Sequence, residues 1–250
     1  MKAMILAAGL GTRLKPITDK IPKALVEIEG VPMLERIIGT LKLKGFDRIV
    51  VNVHHFASQI KEFIENKDFG VNISISDETE NILDTGGGIV HALPILFRED
   101  DEPVLIHNVD ILSNANLEIL LNELKGEGGS KLLVSDRKST RKLIFDQDKN
   151  LIGWHDLKNE IYRPEHFKTQ TEYQELAFSG IYAMSKASVE EMKNIMGEGK
   201  YSVMDYFLNK NRKQIISGIE QDNLKLLDIG KPATLLQAPE LLIEFNNDSN

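Results

Sequence analysis

An α/β fold, a mostly parallel sheet with helices on both faces, is what this 250-residue sequence predicts. Short strands rich in β-branched and aliphatic residues alternate with amphipathic stretches, the pattern that carries one parallel strand through a helical crossover to the next. An apolar content of 42% over this length is enough for a real core. The first strand empties into a glycine-bearing loop, at the kind of strand end where open α/β sheets place ligands.

The elements follow in order. Residues 2–7 form an apolar strand, 33–44 a helix with Leu34, Ile37, Ile38 and Leu41 on one stripe, and 48–53 the second strand. Residues 58–65 form a helix with Ile60, Phe63 and Ile64 inward, and 72–76 the third strand. Asp84 to Gly88 open a helix running toward Phe97, and 104–107 return to the sheet. A helix over 117–125 leads into shorter, meandering strands at 131–134, 143–145 and 151–154. Strand 176–184 rejoins the sheet, helices follow at 188–196 and 203–209, and strands 215–219 and 225–228 close it. The expected organisation is one domain over residues 1–245 with a polar, frayed tail at 246–250 and no internal repeat.

The loop after the first strand, ILAAGLGTRLKPITDKIPKAL over residues 5–25, is built to hold phosphates. Its glycines let consecutive N–H groups approach an oxyanion, and Arg13, Lys15, Lys20 and Lys23 add charge-assisted donors against one acid, Asp19. On a chain of net charge −8 this is a local concentration of positive charge. A dinucleotide fingerprint is excluded because Leu14 stands where the third glycine belongs and no acid ends the second strand near Asn52. A Walker loop is excluded because residues 9–15 contain no Gly-Lys-Ser or Gly-Lys-Thr.

Composition removes other classes. The sequence has no cysteine, hence no disulfide, thiolate nucleophile or cysteine zinc site. The acidic balance lacks the basic face that nucleic acid requires. No apolar run can cross a bilayer and Met1-Lys2 lead straight into a strand, so no membrane partner and a cytoplasmic location are expected.

Together, Leu6-Ala7-Ala8-Gly9, Gly11-Thr12-Arg13-Leu14, Pro16 and Pro22-Lys23 resemble the opening pattern of the sugar-1-phosphate nucleotidyltransferase family. The resemblance continues through Asp84-Thr85-Gly86-Gly87-Gly88, His107-Asn108-Val109-Asp110, Phe178-Ser179-Gly180 and Asp228-Ile229-Gly230, across nearly the whole chain. Within the family the sequence is most similar to the compact N-acetylmuramate-1-phosphate uridylyltransferases. This implies a Rossmann-like nucleotide-diphospho-sugar transferase fold whose short middle strands form a sugar-facing lid. It also implies transfer of uridylyl from UTP, the nucleoside triphosphate, to N-acetylmuramate-1-phosphate in cell-wall sugar recycling, with pyrophosphate released.

The roles implied are these. Leu6, Ala7, Ala8, Gly9, Gly11, Thr12, Arg13 and Lys23 hold the nucleotide, with Asp77, Glu78 (or Glu80), Thr85 and Gly86 near the base. Gly87, Gly88, Asn108, Ser179 and Gly180 contact the sugar phosphate. Arg13, Lys23 and Asp110 are catalytic, and Asp110 with Asp228 binds magnesium. Each has a plainer reading. A lone strand-end Asp is a cap or turn residue, three glycines are a bare helix start, and a strand serine bonds to backbone. His54-His55 is read as surface, Trp154 as core, and Arg137, Lys138, Arg141 and Lys142 as a solvated loop, one member of which could reach the sugar phosphate. The Glu-Lys-Pro element of many relatives, whose lysine binds that phosphate, is absent. A sibling enzyme for another sugar-1-phosphate or for phosphocholine would share every motif, and a silent nucleotide-sugar sensor would keep the fold. A monomer is expected, since no left-handed repeat extension follows Ala238.

Overall fold

The computed structural model describes residues 1–126, 128–167 and 172–248. Contacts gather these into two compact units, one of residues 1–82, 106–115 and 224–250, the other of residues 83–105 and 116–223. Neither is a contiguous stretch, because the chain passes between them at 82–83, 105–106, 115–116 and 223–224.

The first unit has the expected parallel arrangement. Strand Lys2–Leu6 is buried along its whole length and pairs in parallel with Arg48–Val53, which pairs in parallel with Asn72–Asp77. Helix Met33–Leu43 makes the first crossover, burying Met33, Leu34, Ile37, Ile38 and Leu41 at the three- and four-residue spacing of one helical face. A fully buried aliphatic side chain of this kind contributes about 1.5–3 kcal/mol. Helix Ala57–Glu65 makes the second crossover. On the other side of Lys2–Leu6 lies strand Val104–Asn108, whose last three residues belong to this unit. Residues 225–228, expected to close the main sheet, instead form a two-stranded antiparallel pair, Leu226–Asp228 against Ile111–Ser113. A turn at residues 109–110 separates Ile111–Ser113 from Val104–Asn108, and the buried Ile111 and Leu112 anchor it.

In the second unit, strand Gln174–Met184 pairs antiparallel with Ser130–Ser135 and with Arg141–Phe145. Arg141–Phe145 continues antiparallel into Leu151–Asp156, and that strand into Ile161–Arg163. Ile216–Glu220 adds to Ser130–Ser135 in parallel. Ser130–Ser135, Arg141–Phe145 and Leu151–Asp156 are the short strands expected at 131–134, 143–145 and 151–154. Helix Asp84–Leu96 buries Gly86, Gly87, Gly88, Ile89, Val90, Ala92 and Leu96. Helix Lys186–Met196 starts on Ser185, whose hydroxyl accepts from the Ser188 N–H, and Val203–Phe207 starts on a Ser202–Asp205 capping box.

Two helices, Pro232–Leu235 and Ala238–Asp248, end the described chain. Of the tail expected at 246–250, the backbone of 246–248 continues the last helix, and 249–250 lie outside the described residues. Among the described residues no helix is long and apolar enough to cross a membrane.

Candidate active site

The glycine-bearing loop leaves Leu6 and turns at Gly11, whose φ of 64° is left-handed. A side chain there would also strike Thr18, whose hydroxyl donates to the Gly11 carbonyl at 2.8 Å. The loop therefore keeps its shape through Thr18, while Gly9 has open space around it. Arg13 follows in a single 3-10 turn, half exposed, and Lys23 begins another after Pro22.

Four charged side chains from separate segments of the first unit meet beyond this loop. The Lys23 ammonium pairs with the Asp110 carboxylate, and Arg13 reaches Asp110 at 3.7 Å and Asp228 at 3.6 Å. The antiparallel pair sets Asp228 opposite Ile111, and the Ile229 N–H donates to the Asp110 carbonyl at 2.9 Å, which brings the two carboxylates together. Gly230 makes the meeting possible. A Cβ at this position would come within 2.7 Å of Arg13 and of the Asp110 Oδ2, and 2.8 Å of the Asp228 Oδ1. Burial acts to raise the Asp228 carboxyl, but the Gly230 N–H, the charges of Arg13 and Lys23 and the contact with Asp110 outweigh it and hold it below the usual carboxylate range. Two adjacent carboxylates fit a hard divalent cation such as magnesium, which takes one or two protein oxygens and completes its shell from water and phosphate. Among the described residues no third acid or histidine joins them.

A buried polar chain supports the loop from behind. Asn52 accepts the Ala7 N–H at 2.7 Å and donates to the Glu78 carboxylate at 2.7 Å. Leu6, Ala7 and Ala8 are buried, and the Val109 N–H donates to the Leu6 carbonyl at 3.3 Å. Glu78 is thus turned inward, although the sequence expectation set it at the base. Asp77 is exposed, its carboxyl held at about 2 by hydrogen bonds from Lys61 and Thr79. Glu80 is exposed, and His54 bonds to the Glu78 carbonyl at 2.7 Å. Asn108 is half-buried at the end of its strand, and its carbonyl accepts from His107.

In the second unit, several residues expected at the sugar or base are engaged by their own unit instead. A Cβ on Gly86 would sit 2.6 Å from the Tyr201 ring, and one on Gly87 would overlap the Gly199 carbonyl oxygen. The Gly86 N–H donates to the Tyr201 carbonyl, and the Thr85 hydroxyl accepts the Val203 N–H at 2.9 Å. Glycine there admits the 199–203 backbone. Gly88 is buried in the same helix. Ser179 is 1% exposed, and its hydroxyl bonds to Ile181. Gly180, at φ 79°, lies within the register shift that this bulge produces against Ser130–Ser135.

The basic run is a solvated loop only in part: Arg137 and Lys138 lie in the loop before strand Arg141–Phe145. Arg141 and Lys142 open a strand, and the Lys142 side chain is only 10% exposed, its ammonium donating to the Arg137 carbonyl at 2.9 Å. Arg137 donates to the Phe178 carbonyl, while Lys138 is exposed. Trp154 is half-buried and lines a cavity of about 590 Å³, with the Arg163 guanidinium 5.4 Å from its ring centre. Sequence reasoning passed over Gly230 and Asn52. The Asp-Ile-Gly spacing was a signal for the first; nothing local marked the second.

Comparison with known proteins places the chain in a class. The nucleotidyl transferase family matches residues 2–142, more than half of the sequence, and the chain belongs to that family. It is 43% identical over 111 residues to the N-acetylmuramate α-1-phosphate uridylyltransferase of Caulobacter vibrioides, covering 43% of this chain and 45% of that protein. It is 42% identical over 115 residues to the enzyme of the same name from Neisseria meningitidis serogroup B, covering 46% and 48%. The matched stretch thus spans about half the length of these curated relatives. The crystal structure of HddC from Yersinia pseudotuberculosis superposes with a TM-score of 0.75 at 21% identity, over 96% of this chain and 99% of that one. The inositol-1-phosphate CTP transferase from T. maritima gives 0.71 at 19%, over 98% and 95%. At these identities the structures establish the α/β fold.

Proposed function

We propose that the protein transfers uridylyl from UTP to N-acetylmuramate-1-phosphate, releasing pyrophosphate. The observation that supports this reading is the convergence of Arg13, Lys23, Asp110 and Asp228 around Gly230, directly beyond a glycine-bearing loop whose residues Gly9, Leu10, Thr12 and Arg13 are exposed. Two relatives of that activity, matched over about half their length, support the choice of base and sugar.

A sugar-1-phosphate carries an ionised oxygen, so the acceptor needs no general base and the enzyme no covalent nucleophile. That oxygen attacks the α-phosphorus in line, the bond from the α-phosphorus to the bridging oxygen breaks, and pyrophosphate leaves with the electron pair. The work left to the chain is to bring two polyanions together and neutralise charge. Residues 9–13 hold the triphosphate through backbone N–H groups, Arg13 reaches its oxygens, and Lys23 turns from Asp110 to the α-phosphate. Asp110 and Asp228 would hold magnesium, which supplies further neutralisation of the phosphates when bound. Asn52 and Glu78 fix the start of the loop. The same reading makes the protein a cytoplasmic, monomeric enzyme of cell-wall sugar recycling.

Pyrophosphate release with magnesium across four nucleoside triphosphates and a panel of sugar-1-phosphates tests it. Release with UTP and N-acetylmuramate-1-phosphate is the expected result. Release with a different pair makes the protein a sibling enzyme, and silence with nucleotide binding intact makes it a sensor.

A further inference from the structure

Glu78 lies just past strand Asn72–Asp77 and is only 3% exposed, so its carboxylate is closed to a ligand. Its backbone is held on three sides. The N–H donates to the Val53 carbonyl at 2.8 Å, and the carbonyl accepts from the Asn81 N–H at 3.1 Å and from the His54 Nδ1 at 2.7 Å. The carboxylate accepts the Asn52 Nδ2 at 2.7 Å, and the Asn52 Oδ1 accepts the Ala7 N–H at 2.7 Å. Register pairing between the first two strands ends at Leu6 opposite Asn52, so the Asn52 side chain carries the hydrogen bonding one residue further, to the entry of the glycine-bearing loop. Ala7, Asn52 and Glu78 all belong to the first unit.

A backbone N–H can only donate and a carboxylate can only accept, so one orientation of the Asn52 amide satisfies both neighbours. We infer that Glu78 is a positioning residue: it orients the Asn52 amide, fixes the Ala7 N–H through it, and so sets the grip of residues 9–13 on the phosphates of any nucleotide without reading the base. The loop needs such a tie. Gly9 has open space around it and Gly11 sits at a left-handed φ, so the backbone between them holds little by itself. Thr18 fixes the Gly11 end, and the Asn52–Glu78 pair fixes the entry. A loop ordered before its ligand arrives loses less entropy on binding. Because Asn52 is 2% exposed, removing its acceptor strands a donor away from water, and the disturbance passes to Ala7. The inference rests on the proposed function for placing phosphates at residues 9–13, and extends it by separating the grip on phosphate from the choice of base.

Inorganic tripolyphosphate carries the phosphates of a nucleotide without base or ribose. Calorimetry with it and magnesium, beside KM for each of the four nucleoside triphosphates, tests the inference in the full chain, in Glu78→Ala and in Glu78→Gln, with a melting curve to check each fold. Glu78→Ala should weaken tripolyphosphate binding and raise KM for every nucleotide used by one common factor, about three- to tenfold, the worth of one hydrogen bond. Glu78→Gln keeps an acceptor oxygen for Asn52 and should recover most of the loss. Glu78→Met fills the same space with no acceptor and replaces the alanine variant if that one does not fold. A loss confined to one base, with tripolyphosphate binding intact, would make Glu78 a base reader. No change in either measurement would leave the pair a strand tie, and a parent chain that binds no tripolyphosphate would take the phosphates off the loop; each overturns the inference. If no nucleotide turns over but tripolyphosphate binds and Glu78→Ala weakens it, the positioning role stands while the reaction assignment falls. If UTP turns over and Glu78→Ala binds tripolyphosphate as the parent does, the reverse holds.

Discussion

The two units carry positive charge in opposite ways. In the first, Arg13 and Lys23 lie on Asp110 and Asp228, so each cation already has a carboxylate beside it. In the second, the pairs stand apart: Arg163 lies 3.3 Å from Asp205, Lys142 3.8 Å from Asp136, and Arg141 opposite Asp156 across its strand pair. A balanced cluster can exchange partners as phosphates arrive, its cations turning to oxygens while its acids accept a metal. Separate one-to-one pairs hold strands and turns in place. The difference predicts that substitutions that remove charge from one unit will not mimic those made in the other.

The largest effect should come from unbalancing the first unit. Asp110→Asn keeps the shape but removes the charge that faces both cations, and kcat/KM should fall about 10²–10³-fold, the range seen when a transition-state electrostatic contact is lost. The loss should be of kcat, for acidic and neutral sugars alike, with a melting temperature within a few degrees of the parent. Retained turnover would remove Asp110 from the chemistry and with it the contrast between the units.

Acid should reveal a buried feature of the first unit on the strand leading to that centre. His107 is fully buried, and burial pushes its imidazole down to about 4, only partly opposed by its bond to the Asn108 carbonyl. The unfolded chain, with a value near 6.5, therefore takes up the proton first. Stability is full above about pH 6.5 and declines as pH falls through 4, by up to about 3 kcal/mol from this group. Chemical denaturation against pH measures it. His107→Gln should flatten the limb between pH 4 and 6.5, and an unchanged limb would assign it to other groups.

Gly87→Ala probes the second unit. If the glycine admits the Gly199 carbonyl, the added methyl should cost about 1–3 kcal/mol, and about 2–4 °C of melting temperature per kcal/mol for a chain of this size. A variant that melts normally but binds sugar phosphate poorly would return Gly87 to the substrate.

How much of this was legible follows from where each signal lies. Arg13 and Lys23 sit within one continuous motif, and Asp110 and Asp228 fall beside strands whose apolar runs were readable, so the first unit's centre could be assembled before any coordinates. The antiparallel pairing that brings Asp228 to Ile111 was not readable, because a three-residue strand has no periodicity to declare its partner. Helix Ala238–Asp248 was overlooked although Leu241, Leu242 and Phe245 have helical spacing; its polar final turn resembles a tail. In the second unit, local chemistry pointed the wrong way. Three successive glycines look like access for a ligand, but only the fold shows Tyr201 and Gly199 filling that space. Lys142 looks solvated until strand alternation turns it inward beside exposed Arg141.

Ser179→Ala should have the smallest effect, and it sharpens the comparison most finely. The hydroxyl accepts the Ile181 N–H at 3.0 Å and lies 3.3 Å from the Ile181 carbonyl, inside a buried bulge. A hydroxyl engaged in this way holds strand geometry, and its loss should cost about 1 kcal/mol of stability, the net worth of one neutral hydrogen bond. A sugar contact would behave differently, because removing it would raise KM for the sugar phosphate and leave the melting temperature alone. The two roles predict opposite patterns from one substitution. A small drop in melting temperature with KM for the sugar phosphate unchanged within about twofold is the expected result. It would take the Ser179 hydroxyl out of sugar recognition, since a hydrogen bond already satisfied by backbone has little left to offer a ligand.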